Sequence, residues 1–234
     1  MLLPALREEV LKANRTISQR GLAPHTWGNV SGIDRSGSKP LVVIKPSGVS
    51  YETMTAADMV ITDLENNIVE GSLRPSSDLE THTLLYREFS QIGGIVHTHS
   101  DFATSWAQAG REIPCLGTTH ADYFHGPVPV TEPLTAEEVE KAYVHNTGVV
   151  IVRRFRQGSL DPTAVPGVLV AGHAPFAWGK SPTEAVYNAD VLEYVAKMAF
   201  QSMLLGASPA GIPSYVSDHH YQRKHGPGAT YGQK

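Results

Sequence analysis

Apolar residues in the first third of the chain follow two different spacings. Between residues 3 and 19 they recur every three or four positions, which predicts an amphipathic first helix. Short apolar runs then follow in two pairs, 29–33 with 41–44 and 59–64 with 68–69, and polar turn residues separate the members of each pair. This pattern predicts antiparallel hairpins rather than parallel strands joined by helices.

Helical and extended patterns are mixed in the rest of the chain. A Ser or Thr followed three residues later by Glu predicts helix starts at Ser77, Thr135 and Ser181. The predicted helices cover residues 77–89, 101–109, 135–143 and 181–205. Extended runs are predicted at residues 95–99, 149–152 and 167–170. The mixture predicts one α/β domain in which helices cover a mixed sheet.

The composition narrows the class of protein. With 234 residues, of which 41% are apolar and 18% charged, the chain has the size and composition of an ordinary soluble globular domain. The net charge of -4 gives no electrostatic reason to bind nucleic acid, and no apolar run is long enough to span a membrane. Cys115 is the single cysteine, so no intrachain disulfide can form, and early acidic residues argue against a signal peptide. We therefore expect a cytoplasmic protein without nucleic-acid or membrane partners.

A His-x-His sequence follows the break at Gly93-Gly94. In an extended segment residues i and i+2 face the same side, so His97 and His99 project together. They could share one metal ion or form a hydrogen-bonded pair at a strand end, and their spacing leaves both possibilities open. A catalytic zinc-type site needs a third protein ligand and an open position. His173 is the best candidate, because it follows the apolar run 167–170 in a turn at a strand end.

Three other segments carry candidate chemistry. Asp78, near a predicted helix start, could ligate a metal ion, orient a ligand, or simply cap the helix. The irregular stretch 117–125 reads as a loop in which Asp122 lies between two histidines. The C-terminal stretch 218–226 is polar, basic and rich in histidine, and its composition alone is typical of a frayed tail.

Three short segments have the composition of anion-binding loops. Residues 26–29, 45–48 and 74–77 each combine a small residue, able to expose backbone N–H groups, with a hydroxyl or amide side chain. Each segment alone is equally typical of a simple turn. Together with a metal site, they suggest a small phosphorylated substrate.

In order along the chain, these segments resemble the class II aldolase/epimerase family, and within it most closely the 4-epimerases of pentulose phosphates. The matching runs are residues 26–31, 44–49, 75–78, 93–100, 117–124, 175–180 and 223–233. The resemblance implies a single α/β domain over residues 1–234, with three α/β/α layers around a central, largely antiparallel mixed sheet. It also implies a homotetramer with one divalent metal ion per subunit at the subunit boundary, zinc or else manganese or cobalt.

The resemblance also implies a role for particular side chains. The implied metal ligands are His97, His99 and His173, with Asp78 beside the metal. The implied acid/base pair is Asp122 and Tyr231, the latter from a neighbouring subunit. The implied substrate and phosphate contacts are Gly28, Asn29, Ser47, Gly48, Ser76, Ser77 and His220. In this interpretation the tail, residues 218–234, is an ordered lid that completes a neighbour's active site.

The activity implied by the resemblance is epimerisation at C4 of a pentulose 5-phosphate, from L-ribulose 5-phosphate to D-xylulose 5-phosphate. The C4 hydrogen is not adjacent to the carbonyl, so cleavage and re-formation of the C3–C4 bond is the accessible route. Two alternatives stay open: a sugar-phosphate aldolase of the fuculose- or rhamnulose-phosphate type, and a non-enzymatic binding module like the adducin head. The chain departs from the epimerase pattern at Val144, Asn146, Ala174 and Thr230.

Overall fold

The fold is a seven-stranded sheet with helices on both faces, as seen in a computed structural model that describes residues 1–230. The strands are β1 Gly28–Asp34, β2 Leu41–Ile44, β3 Val60–Thr62, β4 Ile68–Glu70, β5 Gly94–Thr98, β6 Gly167–Leu169 and β7 Pro175–Gly179. The helices are α1 Pro4–Gln19, α2 Leu79–Glu88, α3 Asp101–Gln108, α4 Thr118–Ala121, α5 Ala136–Gln157, α6 Pro182–Leu204 and α7 Ser214–His225, and Ala56–Asp58 form a 3-10 turn. No helix within residues 1–230 combines the length and hydropathy needed to cross a bilayer.

The strands lie in the order β4-β3-β2-β1-β5-β7-β6, and each neighbouring pair is antiparallel. Two hydrophobic clusters cover the two faces. Val96 packs in the cluster formed with α1 and the first turns of α6, whereas its neighbour Ile95 packs in the cluster formed with α2 and α5. Successive residues of a strand face opposite sides, so β5 is buried on both faces. The predicted single α/β domain with a largely antiparallel sheet is confirmed.

Most of the predicted elements form, with small shifts at their ends. The first helix, both hairpins and α3 lie where the apolar spacing predicts them. Thr135 and Ser181 act as N-caps, each accepting a hydrogen bond from the backbone N–H three residues later. The cap predicted at Ser77 does not form, because α2 begins at Leu79 with Asp78 in the cap position.

Three local predictions were wrong, and one strand was missed. Residues 149–152, predicted as a strand, lie inside α5, where a short buried apolar run packs against α2. Four apolar residues do not by themselves distinguish a strand from a buried helical turn. The segment 175–180 was not predicted as a strand, yet Pro175–Gly179 form β7. The stretch predicted as a loop around Asp122 contains the short helix α4, and the tail predicted from composition to fray contains α7.

Gly94 begins β5 directly after Gly93, at the point where the chain passes the beginning of α6. A Cβ atom on Gly94 would lie 2.4 Å from the backbone nitrogen of Pro182, and one on Gly93 would lie 2.1 Å from the carbonyl oxygen of Lys180. These contacts are with backbone atoms, which cannot turn aside as a flexible side chain can. The two glycines therefore serve close packing, and this packing sets the position of the strand that carries His97.

We expect Gly94→Ala to lower the free energy of unfolding by about 3 kcal/mol, at the upper end of the range for overpacked sites. Gly37→Ala is the matched control, because the nearest atom to its added methyl group, the carbonyl oxygen of Lys39, lies 3.7 Å away. The control should change stability by less than about 0.5 kcal/mol. Urea unfolding measures both, and equal stabilities of the two variants would contradict the packing argument.

Candidate metal centre and substrate cleft

Three histidines converge where β5 and β7 lie side by side. His97 lies on β5, His99 follows directly after it, and His173 lies in the turn between β6 and β7. The antiparallel register pairs His97 with Phe176, so this turn lies next to the end of β5. The ring centroids are 5.0, 4.9 and 5.1 Å apart, and one nitrogen from each ring lies within 4.8 Å of the others. The structure thus brings together the three histidines that the sequence grouped.

The ring of His97 is held on two sides. Its Nδ1 lies 3.0 Å from the carbonyl oxygen of Pro175, and the ring stacks on Phe176 with centroids 4.2 Å apart. A carbonyl oxygen can only accept a hydrogen bond, so Nδ1 carries the proton. Nε2 is then the free lone-pair nitrogen, and this is the arrangement usual for a metal-binding histidine.

The surroundings of the cluster favour neutral imidazoles. Burial, together with the neighbouring rings of His97 and His99, lowers the pKa of His173 to about 4. Burial and the ring of His97 also lower the pKa of His99. A metal ion binds the unprotonated form, so no proton has to leave these two rings near neutral pH. Three imidazoles beside an open cleft are a donor set that fits a catalytic zinc ion.

Asp78 supplies a carboxylate beside the histidines. Its side chain makes no capping hydrogen bond to α2, and Asn29 Nδ2 donates to Asp78 Oδ2 at 2.6 Å. Burial acts to raise the pKa of Asp78, but electrostatic interaction with the His97 and His82 rings and the hydrogen bond from Asn29 leave it below the usual value. Asp78 therefore stays ionised, and a simple helix-capping role for its side chain is wrong. Its oxygens are outside the close group formed by the three imidazole nitrogens.

A cleft of about 580 Å³ opens in front of the cluster. The three histidines and Asp78 form part of its lining. The residues predicted as substrate contacts that also line it are Gly28, Asn29, Ser47, Gly48, Ser76 and Ser77. Segments that are far apart in sequence thus meet in one cleft.

Two of the loops predicted to bind anions are joined to each other. The backbone N–H of Ser47 donates to Arg74 O, and that of Ser76 donates to Lys45 O, both at 2.9 Å. These two amides are therefore unavailable to a ligand, contrary to the expectation from sequence. Within residues 1–230, the backbone N–H groups of Gly48 and Ser77 donate no such hydrogen bond. They and the serine hydroxyl groups are the donors left for a phosphate.

Gly28 has a packing role at the edge of the cleft. A Cβ atom there would lie 2.8 Å from the carbonyl oxygen of His97 and 2.9 Å from the Cβ of Ala23. The close approach of β1 to β5 therefore accounts for this glycine without a ligand.

Lys45 was not among the predicted site residues, although its segment was. The side chain is 2% exposed, its Nζ donates to Pro46 O at 3.1 Å, and it lies 5.0 Å from the ring centroid of Tyr51. Burial lowers the pKa of Lys45 to about 8. The sequence feature that could have identified Lys45 as a site residue is its position directly after the apolar run 41–44. Its charge gives the cleft a cationic group among the two joined loops.

Two buried polar atoms near the cluster lack partners within the described part of the chain. Asn29 Oδ1 accepts no hydrogen bond, although the Nδ2 of the same amide is fixed on Asp78. His82, one helical turn after Asp78, is fully buried with Nδ1 2.7 Å from Ser31 Oγ and Nε2 unpaired. Burial lowers the pKa of His82 to about 3, so this ring is neutral. Both atoms have almost no accessible surface, so neither faces the open space of the cleft.

Asp122 and His220, two further predicted site residues, lie together but outside this cleft. His220 Nδ1 lies 3.0 Å and Arg223 Nη2 3.1 Å from the Asp122 carboxylate, and Lys224 Nζ is 3.6 Å away. Burial acts to raise the pKa of Asp122, but the hydrogen bonds from Arg223 and His220 and the charge of Lys224 lower it. The carboxylate is thus ionised and docks α7 onto α4. Tyr231 lies outside the described residues.

Comparison with known families and structures places the chain in a family. The family described as "Class II Aldolase and Adducin N-terminal domain" matches residues 8–200, and the chain belongs to this family. An L-fuculose 1-phosphate aldolase superposes with a TM-score of 0.78 at 25% identity, covering 94% of this chain and 95% of that one.

Two further solved structures share the fold. YgbL from Escherichia coli, a candidate aldolase, epimerase or decarboxylase, has a TM-score of 0.71 at 23% identity, with coverage of 92% and 97%. L-fuculose-1-phosphate aldolase from Thermus Thermophilus has a TM-score of 0.66 at 22% identity, with coverage of 88% and 100%. At these identities the two similarities concern the fold alone.

We expect His173→Ala to reduce the zinc retained after purification at least tenfold, because two imidazoles remain where a zinc ion needs three or more protein ligands. His145→Ala is the control, since this histidine is not in the cluster. Elemental analysis of the dialysed proteins measures the bound metal. Wild-type zinc content in His173→Ala would rule out the cluster as the metal site.

Proposed function

We propose that this protein is a metal-dependent epimerase that inverts C4 of a pentulose 5-phosphate, converting L-ribulose 5-phosphate into D-xylulose 5-phosphate. The observation that carries the proposal is the short carboxylate of Asp78, which Asn29 holds at 2.6 Å beside the histidine cluster. A carboxylate held in this way is suited to remain beside a cation. It is poorly suited to deliver a proton to the carbon of a cleaved sugar, as an aldolase must.

The cleft offers binding groups for two parts of such a substrate. A divalent ion held by His97, His99 and His173, zinc or else manganese or cobalt, would supply Lewis acidity for negative charge developing on the C2 and C3 oxygens. Lys45 and the free backbone amide of Ser77 are suited to bind the phosphate group.

The reaction needs a proton acceptor and a proton donor on opposite faces of the aldehyde formed by cleavage. One group takes the proton from the C4 hydroxyl as the C3–C4 bond breaks, leaving an enediolate and glycolaldehyde phosphate. The aldehyde turns over, the C3–C4 bond forms on its other face, and the second group returns a proton to the C4 oxygen. We assign these two roles to Asp122 and Tyr231. No net proton is gained or lost.

Because Asp122 lies outside the cleft of its own protomer, the proposed reaction requires a second copy of the chain. Asp122 is fixed to the tail of its own protomer through His220 and Arg223, and it does not line the cleft of that protomer. We therefore assign Asp122 and the tail, residues 218–234, to the cleft of a neighbouring subunit in a homotetramer. The cytoplasmic setting stays a prediction from sequence.

Two alternative functions differ from this one in what they require. The similarity to an L-fuculose 1-phosphate aldolase favours an aldolase, which would release both fragments. A binding module of the adducin type has no chemical need for the three convergent histidines or for the ionised Asp78. The products formed from L-ribulose 5-phosphate distinguish all three functions.

A mixing experiment tests the reaction and the shared site together. The zinc-loaded wild-type protein should form D-xylulose 5-phosphate. Asp122→Asn and His97→Ala should each lose activity at least a hundredfold, because the first removes a proton-transfer group and the second a metal ligand. Asp122→Asn should keep its metal. Co-refolding the two inactive variants should restore activity at about a quarter of the sites, since random mixing pairs an intact cluster with an intact Asp122 at that frequency.

Three outcomes would contradict the proposal. An inactive wild-type protein with zinc bound would exclude the epimerase. Mixed variants that stay inactive would exclude the shared site. Loss of metal in Asp122→Asn would mean that Asp122 belongs beside the metal instead.

A further inference from the structure

Helix α5 is interrupted beside the cleft. Ala142 has an extended backbone (φ -165°, ψ 72°), whereas the residues on either side continue the helix. An interruption of this kind leaves backbone carbonyl groups without their intrahelical partners. Neither Gly nor Pro occurs between residues 135 and 147, so the cause of the break must lie in other contacts.

Side chains donate hydrogen bonds to carbonyl groups on both sides of the break. Asn146 Nδ2 donates to Glu138 O at 2.7 Å, and Thr81 Oγ1 donates to Val144 O at 2.6 Å. Thr81 belongs to α2, three residues after Asp78, so the break is tied to the helix that carries the site's carboxylate. Hydrogen bonds of this geometry show that the interruption is a specified part of the structure.

The break brings Tyr143 to the cluster. Its side chain lines the cleft, and its hydroxyl oxygen lies 3.4 Å from His173 Nδ1, with ring centroids 6.1 Å apart. Within residues 1–230, no other hydrogen-bond partner of the His173 ring is found. His97 already has such an acceptor in Pro175 O, at 3.0 Å. A metal-binding histidine ordinarily donates its second ring N–H to an acceptor of this kind, which fixes the ring.

We propose that Tyr143 is a positioning residue for His173: its hydroxyl oxygen accepts a hydrogen bond from the Nδ1–H group and so directs Nε2 towards His97 and His99. Asn146 and Thr81 hold Tyr143 in place by stabilising the break. The inference rests on the proposed metal site, and it adds a residue that touches no metal. It also gives a reason for the interruption of regular helical structure in α5 at Ala142.

Cobalt(II) is the probe for the test, because its visible absorption reports the geometry of its ligands independently of any reaction. Tyr143→Phe keeps the ring and removes only the hydroxyl group. It should weaken cobalt binding about tenfold and change the absorption spectrum, with an unchanged melting temperature. Thr81→Val should change the cobalt affinity and the absorption spectrum in the same direction as Tyr143→Phe, because it removes the hydrogen bond to Val144 O. Tyr194→Phe, on the exposed face of α6, is the control and should match the wild type.

The outcomes separate this inference from the proposed function. Wild-type cobalt affinity and spectrum in Tyr143→Phe, with cobalt still bound by the wild type, would overturn the positioning role alone. Failure of the wild type to bind cobalt would overturn the metal site and the inference with it. An altered spectrum in Tyr194→Phe would also overturn the inference, because the effect would then not be specific to Tyr143.

Discussion

The antiparallel pairing of β5 with β1 on one side and β7 on the other is the constraint on which the site depends. Its register pairs His97 with Asn29 on β1 and with Phe176 on β7. Asn29 in turn holds Asp78, and the residue before Phe176 supplies the carbonyl oxygen that fixes the His97 ring. Contacts along two strand pairs therefore determine where the carboxylate and the first imidazole lie. The glycines at the start of β5 and β1 permit the close approach on which this register rests.

The cleft combines two electrostatic environments suited to a sugar phosphate. In the first, the three imidazoles and the ionised Asp78 are arranged for a cation. In the other, the buried Lys45 and free backbone amides are arranged for an anion. Burial strengthens both, since charges interact more strongly away from water. A molecule that carries both metal-binding oxygens and a phosphate matches this arrangement, which is why a phosphorylated ketose is a more natural occupant than a neutral sugar.

Local sequence patterns predict those parts of the site that follow from local geometry. The period of a strand is enough to pair His97 with His99, and an apolar run followed by a turn is enough to suggest His173. Contacts between distant segments do not follow from local sequence patterns. The bridge between the loops at Ser47 and Ser76 uses up two amides that each loop alone would offer, and the apolar run 149–152 is helical because α2 packs against it. No spacing in the sequence indicates these pairings, nor that Asp122 faces the tail instead of the cleft.

The central claim is that C4 is inverted by breaking a carbon–carbon bond, and deuterium labelling tests it most directly. The zinc-loaded protein would be incubated with L-ribulose 5-phosphate in D2O, and the deuterium in the products located by NMR. Cleavage and re-formation of the C3–C4 bond should give D-xylulose 5-phosphate that keeps its original hydrogen at C4, without accumulation of glycolaldehyde phosphate. Deuterium at C4, or release of glycolaldehyde phosphate with deuterated dihydroxyacetone, would contradict it.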